Sequence, residues 1–158
     1  MNRTVLLLCA FFSVSFGCNC GITVPSPLNR FCHSYFVGVL TITSRTNATT
    51  GNPVITYVGR SLSPDTIFKQ PDNFPQDPLD INIFTHDDFA IDSGACGVNW
   101  LQQGKTYLLN GNIWKNALYL HSCFQIDAHD EWANIPQDIK EPLQDGTYKK
   151  NCGDDDHH

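Results

Sequence analysis

Apolar and polar residues alternate along the chain in short bursts set between turn-forming stretches. From Tyr35 to Thr46 the sequence reads YFVGVLTITSRT, rich in β-branched and aromatic side chains, and VITYVGRSL follows after the polar turn NATTGNP. These two segments predict adjacent antiparallel strands joined by a long loop. INIFT predicts a third strand, and KTYLLNGNIW and ALYLHSCFQID, parted by Lys115-Asn116, predict two more. The connectors are polar: KQPDNFPQDPLD holds three prolines, and HDDFAIDSGAC precedes the fourth strand region. Ser26 before Pro27 has the form of an N-cap with proline at the first helical position, so a short helix carrying Cys32 is expected. The spacing Trp132, Ile135, Ile139 predicts a helical face, with Pro136 in a first turn and Pro142 ending the helix. Strands without βαβ alternation and with only short helices point to a mainly β domain, a small Greek-key barrel or sandwich.

The first apolar run belongs to a different kind of segment. Arg3 precedes Val5 to Phe12, and Ser15 and Gly17 are the small residues a signal peptidase reads, so residues 1–17 are expected to be a secretory signal peptide. Cleavage between Gly17 and Cys18 leaves 141 of the 158 residues, enough for one domain with a core, residues 18–152. Its apolar stretch falls short of the roughly 20 residues of a membrane-spanning helix, so a secreted, extracellular protein is expected. Without Arg3 the net charge moves from −6 to −7. An acidic chain with no Lys/Arg cluster is a poor partner for nucleic acid or an anionic membrane. The tail GDDDHH, residues 153–158, is charged and expected to be disordered.

Cysteine changes the picture most. Cys9 falls in the signal, leaving Cys18, Cys20, Cys32, Cys96, Cys123 and Cys152. In a secreted domain these imply three disulfides, with about 15 pairings open on sequence grounds. Zinc knuckles need a Cys-x₂-Cys spacing, which is missing. An even count leaves no thiol nucleophile. Gly104-Lys105-Thr106 lacks the earlier glycine of a phosphate loop and reads as a turn. His33, His86, His121 and His129 have no metal-ligand spacing, and Asp87-Asp88 and Asp130-Glu131 read as solvated loop charges. No enzyme and no cofactor are expected. Trp114 and Trp132 are expected in core or barrel-end packing, and Asn47-Ala48-Thr49 is a sequon in the first long loop.

The cysteines and their neighbours together resemble a known family. Cys-x-Cys at a mature N-terminus, a Phe-Cys helix, then ACG, LHSCF and a last cysteine are similar to the tissue inhibitors of metalloproteinases. GKTYLLNG and CFQIDAHDEWANI resemble further stretches of that family, and the likeness spans Cys18 to Cys152. It implies a netrin-like domain, a five-stranded OB-type Greek-key barrel with short flanking helices and three disulfides. It also implies the pairings Cys18–Cys96, Cys20–Cys123 and Cys32–Cys152, and a glycoprotein modified at Asn47. Vertebrate members carry a second domain with six further cysteines; here the resemblance covers the inhibitory domain alone.

The resemblance further implies a function. A catalytic zinc keeps an open fourth position, and the α-amine and carbonyl oxygen of an N-terminal Cys18 form a five-membered chelate that displaces its water. The protease-contacting residues would be Cys18, Asn19, Cys20 and Gly21 on one side and Ser93, Gly94, Ala95 and Cys96 on the other, with Asn19 pointing into the specificity pocket. The expected partner is a zinc metalloproteinase of the matrix type, met by a monomer. Asn19 departs from the threonine or serine usual at that place, and its amide must find partners or cost roughly 1–3 kcal/mol. The alternative is a netrin-like module that binds an extracellular protein without touching a metal. Residues 93–95 would then be an ordinary connector.

Overall fold

The computed structural model of the chain describes residues 20–21, 23–72, 74, 80–87, 96–127 and 130–153. Among them helix α1 covers Pro27–His33, and the strands are β1 (Phe36–Thr46), β2 (Val54–Arg60), β3 (Ile67–Lys69), β4 (Asp80–His86), β5 (Thr106–Trp114) and β6 (Ala117–Tyr119). Helices α2 (Gln137–Gln144) and α3 (Thr147–Asn151) follow. Strands β1, β2, β4, β6 and β5 pair in that order, and β5 returns to β1. All contacts in this ring are antiparallel except β4 with β6. A closed ring with that crossover is the OB-type Greek-key barrel expected from the resemblance, and closure removes the exposed edges that an open sheet would leave.

β1 is buried on both faces over its first half, as a strand between two layers must be. Phe36, Leu40 and Ile42 point into the barrel with Ile55, Tyr57, Ile83, Leu109 and Leu118. Val37 and Val39 point outward with Leu108 and meet Phe31, Ile126, Ile135 and Leu143, so the helices cover this side of the barrel. Burying one such side chain is worth about 1.5–3 kcal/mol. The Cys32–Cys152 disulfide crosses this outer layer, joining α1 to the end of α3 over a Cα separation of 5.4 Å.

The Ser26 cap forms as expected: its hydroxyl accepts from Asn29 N, and Pro27 opens α1. Lys115 and Asn116 both adopt positive φ, 49° and 60°, the left-handed pair that closes a two-residue hairpin between β5 and β6. Gly104 turns with φ 83° ahead of β5.

Several expectations need correction. β3 was not expected, because three residues between Ser63-Pro64 and Pro71 are too few to show a period. The last strand stops at Tyr119; Ser122–Phe124 form a 3-10 turn capped by the His121 ring. Trp132, Ile135 and Ile139 do share one packed cluster, but as a 3-10 turn (Trp132–Asn134) and then α2, separated by an extended Pro136. Pro142 lies inside α2 rather than ending it. The last turn survives because Asp145 N reaches Glu141 O at 2.9 Å and Leu143 is buried in the outer cluster. Trp114 is 56% exposed, not core, since it faces out from β5 near the hairpin. Glu131 is no mere solvated charge: it pairs with Lys105 at 2.8 Å beside a bridge to Tyr107.

Candidate functional site

Three half-cystines meet beside the 3-10 turn at Ser122–Phe124. Cys20 is bonded to Cys123, with Cα atoms 5.2 Å apart. The sulfurs of Cys20, Cys96 and Cys123 all lie within 4.8 Å of one another. Such a trio has the composition of a soft-metal site, but every one of these cysteines is disulfide-bonded, so no thiolate is available to a metal. The partner expected for Cys96 is Cys18, which lies outside the described residues, as do Asn19, Ser93, Gly94 and Ala95. Of the expected contact residues, the structure therefore places Cys20, Gly21 and Cys96. It brings Cys20 and Cys96 together across a sequence distance that no local contact could span.

Cys20 and Gly21 are exposed, and Gly21 has φ 81°, a conformation that disfavours any side chain. Cys96 is buried and holds φ 47°, unusual for a residue with a Cβ. Its surroundings account for that. Its carbonyl accepts from Ser122 N at 2.8 Å and from the Ser122 hydroxyl at 3.0 Å. Two residues on, Val98 N donates to Thr85 Oγ1 at 2.8 Å, and Val98 O accepts from the Tyr57 hydroxyl at 3.0 Å. Thr85 in turn donates to Leu120 O. Burial pushes the Tyr57 phenol up to about 12, with the Arg45 guanidinium pulling the other way.

The turn that carries Cys123 rests on buried amides that the sequence reading did not single out. Asn110, in β5, is fully buried. Its Nδ2 donates to Ser34 Oγ at 2.8 Å and to Phe124 O at 2.7 Å, while its Oδ1 accepts from Ile126 N at 2.7 Å. Gln125 answers from the opposite side: Nε2 donates to Asn110 O at 2.7 Å and to His121 O at 3.2 Å, and Oε1 accepts from Asn110 N. Two side-chain amides thus do what a strand ladder would do for the segment 121–126 after β6 has ended. Arg30 adds a bond from Nη1 to Gln125 O. The consequence is positional: Cys123, and through it Cys20, is fixed to β5 by satisfied buried polar groups. A polar Asn inside the apolar run Leu108-Leu109-Asn110 was the available signal, since such a residue must find partners if the strand is buried.

Asn47 is exposed just past the end of β1, where the chain turns through a Thr49–Asn52 bridge with Gly51 at φ 94°. Arg45 Nε donates to its Oδ1 at 2.8 Å. Compared with known proteins, the chain matches no family model and no curated protein.

Proposed function

We propose that this chain is a secreted inhibitor of zinc metalloproteinases that closes the target's catalytic zinc with its own N-terminus. The observation that carries the reading is the convergence of Cys20, Cys96 and Cys123 within 4.8 Å. It ties the start of the domain to the connector that follows residue 95, so two distant backbone stretches can form one rigid ridge. Rigidity matters because ordering a flexible terminus on binding subtracts from affinity. With cleavage after Gly17, Cys18 would sit two residues before the fixed Cys20, bonded to Cys96, and would chelate through its α-amine and carbonyl oxygen. Asn19, Gly21, Ser93, Gly94 and Ala95 would complete the contact with a matrix-type proteinase. The reading makes the protein an extracellular monomer of netrin-like type, with residues 18–152 as the inhibitory domain and a glycan on Asn47.

The ligating amine must be unprotonated, and a free α-amine titrates at about 7.7–8.0. Inhibition should therefore weaken as pH falls below that range, beyond any change in the proteinase itself. The deciding experiment is inhibition of a panel of zinc metalloproteinases by protein whose start at Cys18 has been confirmed by mass spectrometry. Loss of inhibition on adding one residue before Cys18, with the fold intact, is the expected result. Retained inhibition by that extended form, or none by the correct form, overturns the chelation reading.

A second reading has its own support. Trp114 and Phe124 are each 56% exposed, as suits a module that binds another extracellular molecule without a metal. Normal binding to such a partner by protein blocked at its N-terminus would favour it.

A further inference from the structure

Cys96 lies in the left-handed backbone region, φ 47°, although it carries a Cβ and is buried. A residue other than glycine stays there only when its surroundings over-determine it, and such positions collect at functional sites. The other non-glycine residues of positive φ among those described, Lys115 and Asn116, close a two-residue hairpin, which accounts for them. Cys96 belongs to no helix or strand. Its sulfur lies within 4.8 Å of those of Cys20 and Cys123. Its carbonyl is held by Ser122, which supplies two donors, N at 2.8 Å and Oγ at 3.0 Å. Two residues on, Thr85 Oγ1 and the Tyr57 hydroxyl hold Val98 N and O.

Ser122 and Cys123 are consecutive, yet they hold different partners. Cys123 is bonded to Cys20, and Ser122 is hydrogen-bonded to Cys96. One peptide unit therefore joins the segment at Cys20 to the segment at Cys96. That unit is itself held: the His121 ring accepts from Cys123 N at 3.3 Å, and Gln125 Nε2 donates to His121 O at 3.2 Å. We propose that Ser122 is the positioning residue of the inhibitory ridge. Its hydroxyl pins the Cys96 carbonyl, keeps Cys96 left-handed, and so fixes the direction in which the 93–95 connector leaves Cys96 relative to Cys20. This role rests on the inhibitory reading, in which Ser122 touches neither proteinase nor zinc and acts through Cys96. A carbonyl oxygen has two lone pairs, and the N–H and hydroxyl of this one residue satisfy both. Without Oγ a single donor remains to offset the left-handed backbone. The connector must then be ordered when the proteinase binds, which subtracts from affinity. Such a loss is expressed mainly as faster dissociation.

The test compares Ser122→Ala, Ser122→Val and Ser122→Thr in oxidised protein whose start at Cys18 and disulfides are confirmed by mass spectrometry. Two quantities are read: the dissociation rate from a matrix-type metalloproteinase that the parent inhibits, and the intraresidue amide–Hα NOE of Cys96, which is strong at positive φ. Ser122→Ala and Ser122→Val should dissociate about threefold to tenfold faster, with a weakened Cys96 NOE. Ser122→Thr should stay within about twofold of the parent on the first reading and match it on the second. Valine and threonine share one shape, so their difference isolates the hydroxyl from any general loss of packing. Parent-like dissociation in both Ser122→Ala and Ser122→Val overturns the role. So does an unchanged Cys96 NOE in those two variants, or a Ser122→Thr protein that behaves like Ser122→Val. A parent that inhibits no metalloproteinase overturns the inhibitory reading itself, and this role with it, before any variant is compared.

Discussion

The two described disulfides close loops of similar length, 103 and 120 residues, yet they sit in different kinds of structure. Cys32–Cys152 lies in the outer hydrophobic layer, where Phe31, Val37, Leu108 and Leu143 pack around it and Phe31 meets the Tyr148 ring at 5.6 Å. Cys20–Cys123 runs from an exposed residue to the 3-10 turn, and the turn is held by the Asn110 and Gln125 amides. The comparison teaches that position can be secured by two means. Apolar packing fixes α1 and α3 so that the first bond reinforces an existing contact. At the ridge there is little core to share, so hydrogen bonds and the second bond fix the backbone together.

That contrast can be broken most directly at Asn110. Asn110→Leu should keep the strand's size and shape but strand Phe124 O and Ile126 N, costing roughly 2–6 kcal/mol. The check is denaturant unfolding, and a loss below 1 kcal/mol would deny the amides their positional role. Next come the disulfides. Chain entropy alone predicts nearly equal losses of about 4–5 kcal/mol for the two bonds. We expect Cys32→Ala/Cys152→Ala to be the more destabilising because it also opens a gap in the outer core. Cys20→Ala/Cys123→Ala should lose less in thermal unfolding but, under the proposed function, more in proteinase inhibition. The reverse order would mean that the ridge is the structural half.

A smaller effect tests the connector. Tyr57→Phe removes the hydroxyl that holds Val98 O and should cost about 0.5–1.5 kcal/mol near neutral pH. The folded phenol titrates near 12 against 10 for its ordinary value, so the native state favours the neutral form. Stability from this group is whole below pH 10 and is lost as pH rises from 10 to 12. The variant should therefore show a shallower alkaline decline, measured as Tm against pH. Of similar size is Ser26→Ala, which removes the α1 cap for about 0.5–2 kcal/mol. The loss should appear as faster amide exchange in the first turn of α1, leaving the ridge unmoved.

The barrel strands were legible because each is long enough to show its preference: β1, β2 and β5 are β-branched or aromatic runs bounded by Gly, Pro and Asn. The Ser26-Pro27 cap and the Lys115-Asn116 hairpin were legible because their conformations are local. Other features depended on neighbours far along the chain. β3 is three residues that become a strand only because β1 offers an edge. Pro142 stays within α2 because Leu143 has a buried place to go. Trp114 faces outward because the barrel interior is already filled from the other side of β5.

By itself the sequence determined the strand segments, their turns and the cysteines available for bonding, since these follow from propensity, backbone restriction and composition over a few residues. Tertiary structure alone decided that Cys20, Cys96 and Cys123 meet, that Asn110 and Gln125 hold them in place, and that Ser122 reaches the Cys96 carbonyl. Each of these joins residues separated by many positions, and the free energy that brings them together comes from closing the barrel rather than from any local stretch.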